Sequence, residues 1–343
     1  MTQVPERWHA EWSDTLQLAQ LADEAGIDFM LPIARWKGYG GVTDYEGTSF
    51  ETITWAAGLL AATKRLRVFC TVHTPLFHPI IASKQMVTAD HIGAGRLGLN
   101  IVCGWNEGEY DMFGMTRPEH VDRYAQGQEW IDVVSAIWET DDFDSVGPNF
   151  SLTGVRVKPK PHGGTRPFVI NAALSERGRA FACRNCDGLL TSIDVSNSSV
   201  DAAAQIAAVK ATARASGNDI ELFMPGSVIC RSSKREAEEY FHHAVVENAD
   251  WDAIDKIIEL RGHKAETADE RARLRRSYTA GTGGSFAPLG DPDSVAAEFA
   301  RAAESGLAGL AISFVNYLEE FPYFRDEVLP RLVRLGLRTE SAA

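Results

Sequence analysis

Short apolar segments alternate with longer amphipathic segments along almost the whole of this 343-residue chain. The short segments have the length and residue types of buried strands, and the longer ones carry apolar residues at helical spacing. Strands and helices that repeat in this order predict a parallel sheet whose strands are joined by helical crossovers. The alternation therefore restricts the chain to the α/β class.

The alternation supplies seven candidate strands, one fewer than a closed (β/α)8 barrel requires. These strands are predicted over residues 27–33, 66–73, 96–102, 168–172, 188–192, 222–230 and 307–314. Helices are predicted over residues 13–25, 51–63, 79–91, 120–139, 175–183, 201–216, 234–260 and 317–335. Because a seven-stranded barrel leaves an edge of unpaired backbone groups, the pattern favours an eight-strand plan with one strand unaccounted for.

Three stretches interrupt the alternation, at about residues 103–119, 141–166 and 261–291. The last of them begins with charged residues and contains Gly-Thr-Gly-Gly-Ser, so we expect a mobile loop there. Residues 336–343 are expected to form a frayed tail. No shift in composition divides the chain, and we therefore expect a single barrel domain over residues 1–343.

The charge of the chain argues against several classes of partner. Its formal net charge is −13, and an acidic surface repels nucleic acid and anionic membranes. The longest apolar runs, such as residues 55–62, are too short to span a bilayer. No basic and then apolar leader precedes Pro5, so we expect a cytoplasmic protein.

Two of the five cysteines, Cys183 and Cys186, have the spacing of a metal or redox pair. No second pair and no histidine doublet accompany them, so a zinc site is disfavoured and no metal is expected. We interpret all five as reduced, structural thiols.

The segment from Arg96 to Tyr124 carries most of the predicted chemistry. It opens as an apolar strand with one amide, Asn100, near its end, and a Gly-Trp turn containing Trp105 follows. Glu109 comes next, and Arg123 precedes Tyr124 at the start of a long helix. A strand end that brings together an amide, an indole and a cation is typical of barrel enzymes that bind a planar cofactor with a phosphate tail.

A second candidate phosphate site lies where Asn171-Ala-Ala-Leu-Ser175 joins a strand to a helix. It offers free backbone N–H groups, the hydroxyl of Ser175 and the positive end of a helix dipole. Ser175 is equally well interpreted as an ordinary N-cap, and the two roles are compatible.

These motifs resemble those of the bacterial luciferase-like flavin-dependent monooxygenases. The resemblance extends to three motifs near the end of the chain, Gly-Asp-Pro-Asp-Ser-Val-Ala, Gly-Leu-Ala-Gly-Leu-Ala-Ile and Val-Leu-Pro-Arg-Leu. Within that family the chain is most similar to the pyrimidine monooxygenase and dimethyl-sulfone monooxygenase group. The resemblance implies a TIM barrel of the luciferase-like type and identifies the missing strand as the first. Either the start of the chain is truncated or mis-assigned, or another segment fills the gap.

The resemblance also implies roles for particular residues. Matching positions hold FMN at Ala34, Arg35, Asn100, Glu109, Arg123, Tyr124 and Ser175. A pocket in which oxygen meets the reduced flavin matches Leu31, Thr71, Asn100 and Trp105. A mostly apolar pocket admits O2, and an amide and a hydroxyl can hydrogen-bond a reduced oxygen species.

Three charged or titratable residues are interpreted individually. His73, at a strand end, is either a satisfied structural histidine or a catalytic residue that tunes the choice of substrate. Glu109 is expected to pair with Arg123 or to bond the ribityl chain of the flavin. Glu46, after Gly40-Gly41, is interpreted as part of a rim loop.

The resulting hypothesis is a two-component monooxygenase that uses reduced FMN (FMNH2) and O2 on a small organic substrate of the pyrimidine, sulfone, sulfonate or halogenated aromatic class. The chain lacks a dinucleotide-binding motif, so a separate NAD(P)H:flavin reductase is expected to supply the FMNH2. A homodimer or homotetramer is expected. The alternatives are an oxidoreductase that transfers hydride with the deazaflavin F420, and a non-catalytic flavin-binding protein.

Overall fold

The computed structural model describes residues 1–195, 199–279 and 286–339. Within these residues the strands, numbered along the chain, are β1 (Phe29–Met30), β2 (Arg67–His73), β3 (Leu97–Val102), β4 (Phe143–Val146), β5 (Ser151–Val155), β6 (Phe168–Ala172), β7 (Gly188–Leu190), β8 (Glu221–Ser227), β9 (Ile229–Cys230), β10 (Leu289–Gly290) and β11 (Gly309–Ser313). The main sheet contains seven of them in the order β1-β2-β3-β6-β7-β8-β11, and every neighbouring pair is parallel.

Helices connect these strands. They are α1 (Trp12–Glu24), α2 (Thr52–Ala62), α3 (Pro79–Ile92), α4 (Glu107–Met112), α5 (His120–Glu139), α6 (Glu176–Asn185), α7 (Ser199–Ala215), α8 (Lys234–Phe241), α9 (Trp251–Leu260), α10 (Ala268–Thr279), α11 (Pro292–Glu304), α12 (Tyr317–Tyr323) and α13 (Leu329–Arg334). Within the described ranges, no helix is both long enough and apolar enough to cross a bilayer.

The predicted parallel α/β architecture is confirmed, because each predicted strand overlaps one strand of the main sheet. The sheet curves into a nearly closed TIM barrel whose edges are β1 and β11. No strand of the described chain pairs with both of these edges, so one barrel position is open. This position lies between β11 and β1, the last and first strands of the main sheet.

Two predictions about the second half of the chain were wrong in part. The helix predicted over residues 234–260 is divided near Asn248, and the new helix α9 begins after Asp250, whose carboxylate accepts a hydrogen bond from the Ala253 N–H at 3.3 Å. The stretch 261–291 was predicted to be a loop, but it contains α10. The Gly-Thr-Gly-Gly-Ser sequence at 281–285 lies outside the described residues.

A layer of phenylalanine rings fills the barrel below the strand ends. Phe29 packs edge-to-face against Phe69 and Phe223 at 5.5 and 5.7 Å, and Phe69 packs against Phe168 at 6.2 Å. Glycines on neighbouring strands face these rings at Gly98, Gly188 and Gly309. Large and small side chains thus alternate around the layer, which lets the rings fill the barrel without overlap.

All five cysteines are buried and none forms a disulfide. Cys183 lies in α6 and Cys186 caps it, and burial raises the pKa of both thiols. Protonated, inaccessible thiols of this kind are packing residues.

The phenylalanine layer predicts the cost of adding one methyl group. A Cβ at Gly98 would lie 2.5 Å from two ring carbons of Phe69, so Gly98→Ala should lower the free energy of unfolding by about 1–3 kcal/mol. In the matched control Gly108→Ala, in α4, the nearest atoms lie at 3.5 Å, and stability should be unchanged or slightly higher. Urea denaturation measures both, and equal stabilities of the two variants would contradict the packing described.

Candidate active site

A cavity of about 1900 Å³ opens at the carboxyl ends of the barrel strands. Parallel barrels present their chemistry at this end, because the loops that follow the strands converge there. The sequence-predicted site residues that line it are Leu31, Ala34, Arg35, Thr71, His73, Asn100, Trp105, Arg123, Tyr124 and Ser175. Glu109 is buried behind this wall.

Thr71 and Asn100 are paired across β2 and β3 and share one hydrogen-bond chain. The Asn100 amide Nδ2 donates to Thr71 Oγ1 at 3.1 Å, and Oγ1 donates to the Pro32 carbonyl at 3.2 Å. Because a carbonyl can only accept, this chain orients the Asn100 amide with its nitrogen toward Thr71. Asn100 Oδ1 is left without a partner in the described part of the chain, so one buried acceptor is available at the cavity wall.

The backbone of Thr71 is also fixed, by two hydrogen bonds to the hydroxyl of Thr52. The Thr52 hydroxyl donates to the Thr71 carbonyl at 2.6 Å and accepts from the Thr71 N–H at 3.1 Å. These bonds tie the start of α2 to the end of β2. The side chain of Thr71 therefore sits on a rigid support.

Arg35 is shared between two carboxylates. Its Nε lies 3.1 Å from Glu46 Oε2, and its Nη1 lies 3.0 Å from Glu109 Oε1, which also accepts from the Trp36 N–H at 3.1 Å. Of the two interpretations left open by the sequence, pairing with Arg123 does not occur, because Glu109 pairs with Arg35. The carboxylate thus joins the loop after β1 to α4.

Arg35 also contacts two aromatic rings. Its guanidinium lies 5.0 Å from the ring centre of Trp105 and 5.5 Å from that of Tyr39, and these two rings are 6.4 Å apart at 29°. The Trp105 carbonyl accepts a hydrogen bond from Arg117 Nη1 at 3.1 Å. Cation–π contact and this backbone bond together position the indole at the mouth of the barrel.

His73 is neutral in this environment. Burial, and then the charge of Arg35, lower its pKa to about 3. Its Nε2 lies 3.9 Å from Glu109 Oε2, which is too long for a hydrogen bond, and a neutral ring forms no ion pair at that distance. No described residue bonds Nδ1, which leaves His73 with an unused polar atom at the cavity wall.

The other end of the cavity has the features of an anion site. Ser175 caps α6, its Oγ accepts from the Gly178 N–H at 3.2 Å, and the Tyr124 hydroxyl lies on the same side of Gly178 as this Oγ. A Cβ at Gly178 would lie 2.5 Å from that hydroxyl, so only glycine allows this approach. The N-terminus of α6 and the hydroxyls of Ser175 and Tyr124 therefore lie together at the cavity wall.

Arg123 supplies the cation at this end. It is only 7% exposed, its Nε has no hydrogen-bond partner, and no carboxylate of the described chain lies within ion-pair distance. A buried guanidinium without a counter-ion is costly, and a bound phosphate would compensate it. The residues present therefore fit a planar cofactor with a phosphate tail.

The sequence interpretation missed one carboxylate of the cavity. Gly40 and Gly41 adopt positive φ angles of 72° and 74°, and the Tyr39 N–H bonds the Tyr45 carbonyl at 3.0 Å. This turn folds the chain back and brings Glu46 into the cavity, where the sequence predicted only a rim loop. The rim loop was predicted, but the turn that points Glu46 into the cavity was not.

The low pKa of His73 predicts the pH dependence of stability. The unfolded chain takes up a proton below about pH 6.5, whereas folded His73 does so only near pH 3. The contribution of neutral His73 to the free energy of unfolding is thus complete above pH 6.5 and is lost as the pH falls toward 3. Between these values His73→Asn should reduce the slope of unfolding free energy against pH by up to about 1.4 kcal/mol per unit. A His73 imidazole that titrates near pH 6.5 by NMR would contradict this.

Comparisons with known proteins agree on one family. Residues 2–309 match the family model described as luciferase-like monooxygenase. The FMNH2-dependent dimethylsulfone monooxygenase of Pseudomonas fluorescens (strain Pf0-1) is 28% identical over 333 residues, which cover 95% of this chain and 88% of that protein. Pyrimidine monooxygenase RutA of Acinetobacter baylyi is 27% identical and covers 92% of this chain and 86% of its own length.

The fold comparison is consistent with this family. The crystal structure of long-chain alkane monooxygenase (LadA) matches with a TM-score of 0.87 at 19% sequence identity, and the match covers 99% of this chain and 89% of that one. The luciferase-like TIM barrel predicted from the sequence is thereby confirmed. Because the family model spans most of the sequence, the chain belongs to the luciferase-like monooxygenase family.

Proposed function

We propose that this flavin-dependent monooxygenase is the oxygenase component of a two-component system and oxygenates a small organic substrate. The observation that carries the proposal is the buried Arg123, which no described carboxylate pairs with, in the same cavity as Ser175, Asn100 and Thr71. A phosphate end and a polar pair at the strand ends suit one extended ligand, FMN. The names of the relatives above support the same cofactor.

Arg123, Tyr124 and Ser175 would hold the phosphate. Arg123 would contribute charge, Ser175 and Tyr124 would contribute hydroxyls, and the N-terminus of α6 would contribute N–H groups. These groups are already in place, so binding would cost little reorganisation. Ala34 and Arg35 would border the cofactor at the barrel mouth.

Asn100 and Thr71 would act at the ring. Reduced FMN, when bound, supplies the electrons with which O2 is activated. The hydrogen-bond chain through Pro32 fixes the Asn100 amide, so its free Oδ1 and second N–H can contact the flavin edge and oxygen without rotating. Leu31 and Trp105 would form the apolar wall that admits O2 and excludes water, and neutral His73 would face the substrate.

The remaining parts of the proposal concern partners and setting. The chain lacks a dinucleotide motif, so a separate NAD(P)H:flavin reductase would supply reduced flavin. A small molecule of the pyrimidine, sulfone, sulfonate or halogenated aromatic class would be the substrate. We also propose that the chain works as one barrel domain, in a homodimer or homotetramer, in the cytoplasm.

Arg123→Met should weaken FMN binding about 10- to 100-fold, because a charge-assisted contact contributes about 1.5–3 kcal/mol. Quenching of flavin fluorescence measures the Kd. Arg184→Met, which removes an exposed arginine of α6, should leave the Kd unchanged. An equal effect of the two substitutions, or none from Arg123→Met, would remove Arg123 from the phosphate site.

Asn100→Ala and Thr71→Val should keep the fold and measurable FMN binding but lower product formation. Loss of one such group typically costs on the order of 100-fold in rate. Stopped-flow mixing of enzyme, FMNH2 and O2 compares oxygen consumption with product yield. Wild-type yield in both variants would place the oxygen pocket elsewhere. A rate of FMNH2 oxidation that does not change when the wild-type protein is added would instead favour F420-dependent hydride transfer or a non-catalytic flavin-binding protein.

A further inference from the structure

Glu46 is a nearly buried carboxylate of which one oxygen accepts a hydrogen bond from a described residue and the other does not. Its side chain is 10% exposed, and its Oε2 accepts the hydrogen bond from Arg35 Nε at 3.1 Å. No described residue donates to Oε1, and Glu46 lines the large cavity. An oxygen of a nearly buried carboxylate at a cavity wall is available to accept a hydrogen bond from a ligand that carries a donor.

The surroundings of Glu46 are aromatic. Tyr39, Tyr45 and Tyr317 line the same cavity as Glu46. Burial raises the pKa of all three hydroxyls, and the charge of Glu46 adds to the effect. The rings of Tyr39 and Tyr45 are stacked at 6.3 Å and 23°. Flat, rigid walls of this kind favour a planar ligand.

The charges around Glu46 are balanced. Arg35 pairs with both Glu46 and Glu109. Burial raises the pKa of Glu46, and the positive charges of Arg35 and Arg261 oppose that shift. This end therefore differs from the Arg123 end, where a cation is left over, and it suits an uncharged molecule.

We propose that Glu46 Oε1 accepts a hydrogen bond from the substrate, and that the substrate is an uncharged planar molecule with an N–H or O–H group. Cyclic amides and halogenated phenols belong to this class. The assignment rests on the proposed monooxygenase function, and it selects among the substrate classes that this function leaves open.

Sulfones and sulfonates are disfavoured for a physical reason. Sulfone oxygens only accept hydrogen bonds, so a sulfone would cover Glu46 Oε1 and leave it unpaired. A sulfonate would add a negative charge beside a buried carboxylate. A site built around one polar partner rejects analogues that lack it, because its own buried group then loses its bond.

Three probes that differ in hydrogen-bonding capacity test the proposal. Para-chlorophenol carries a donor, para-chlorofluorobenzene has the same shape without one, and methyl phenyl sulfone carries acceptors only. Titration calorimetry on the enzyme loaded with oxidised FMN, which prevents turnover, gives their affinities. The phenol should bind at least about tenfold tighter than either other probe.

Glu46→Met should abolish this preference, and Glu46→Gln, which keeps the shape and a neutral acceptor, should reduce it. Asp111→Asn, which removes an exposed carboxylate of α4, should leave it unchanged. A preference that survives in Glu46→Met, equal binding of the three probes, or no binding of the phenol to wild type would overturn the assignment. Flavin fluorescence tests FMN binding separately. If FMN does not bind, that result counts against the proposed function and not against the role of Glu46, and the three probes are then titrated against the enzyme without FMN.

Discussion

The shared guanidinium of Arg35 is the interaction on which the candidate site depends. Its two carboxylates come from different parts of the chain, Glu46 from the loop after β1 and Glu109 from α4, and they hold these parts 3.1 and 3.0 Å from one cation. Removing one member would leave a buried charge uncompensated, a change that typically costs about 3–5 kcal/mol. The same cation packs against Trp105 and contributes to keeping His73 neutral.

This network divides the cavity into two regions of different charge. Around Arg35 the charges are balanced by neighbouring groups, whereas Arg123 is a buried cation that no described carboxylate pairs with. An anionic group is therefore attracted to the Arg123 end, and an uncharged group is favoured at the other. One ligand with a charged tail and one neutral ligand can bind together without competing, as a flavin and a substrate must.

The candidate site lies directly above the layer of phenylalanine rings that fills the barrel. Phe69, Thr71 and His73 alternate along β2 and so face the same side, with Phe69 in the ring layer and the two polar residues above it. The aromatic layer fixes the strands, and the strands fix the amide and hydroxyl at their ends. The open position between β1 and β11 leaves this arrangement intact, because β2 and β3 are paired on both sides.

The sequence by itself determined the strands of the main sheet and their alternation with helices, because apolar periodicity depends on neighbours along the chain. It also predicted ten of the residues that line the cavity. The sequence did not determine which charged side chains pair with each other. Glu109 was expected near Arg123 or the flavin and pairs with Arg35, and Glu46 was assigned to the rim and faces the cavity. Only the tertiary structure decided these contacts, because each joins residues between 11 and 74 positions apart whose meeting depends on how a turn and a helix pack against the barrel.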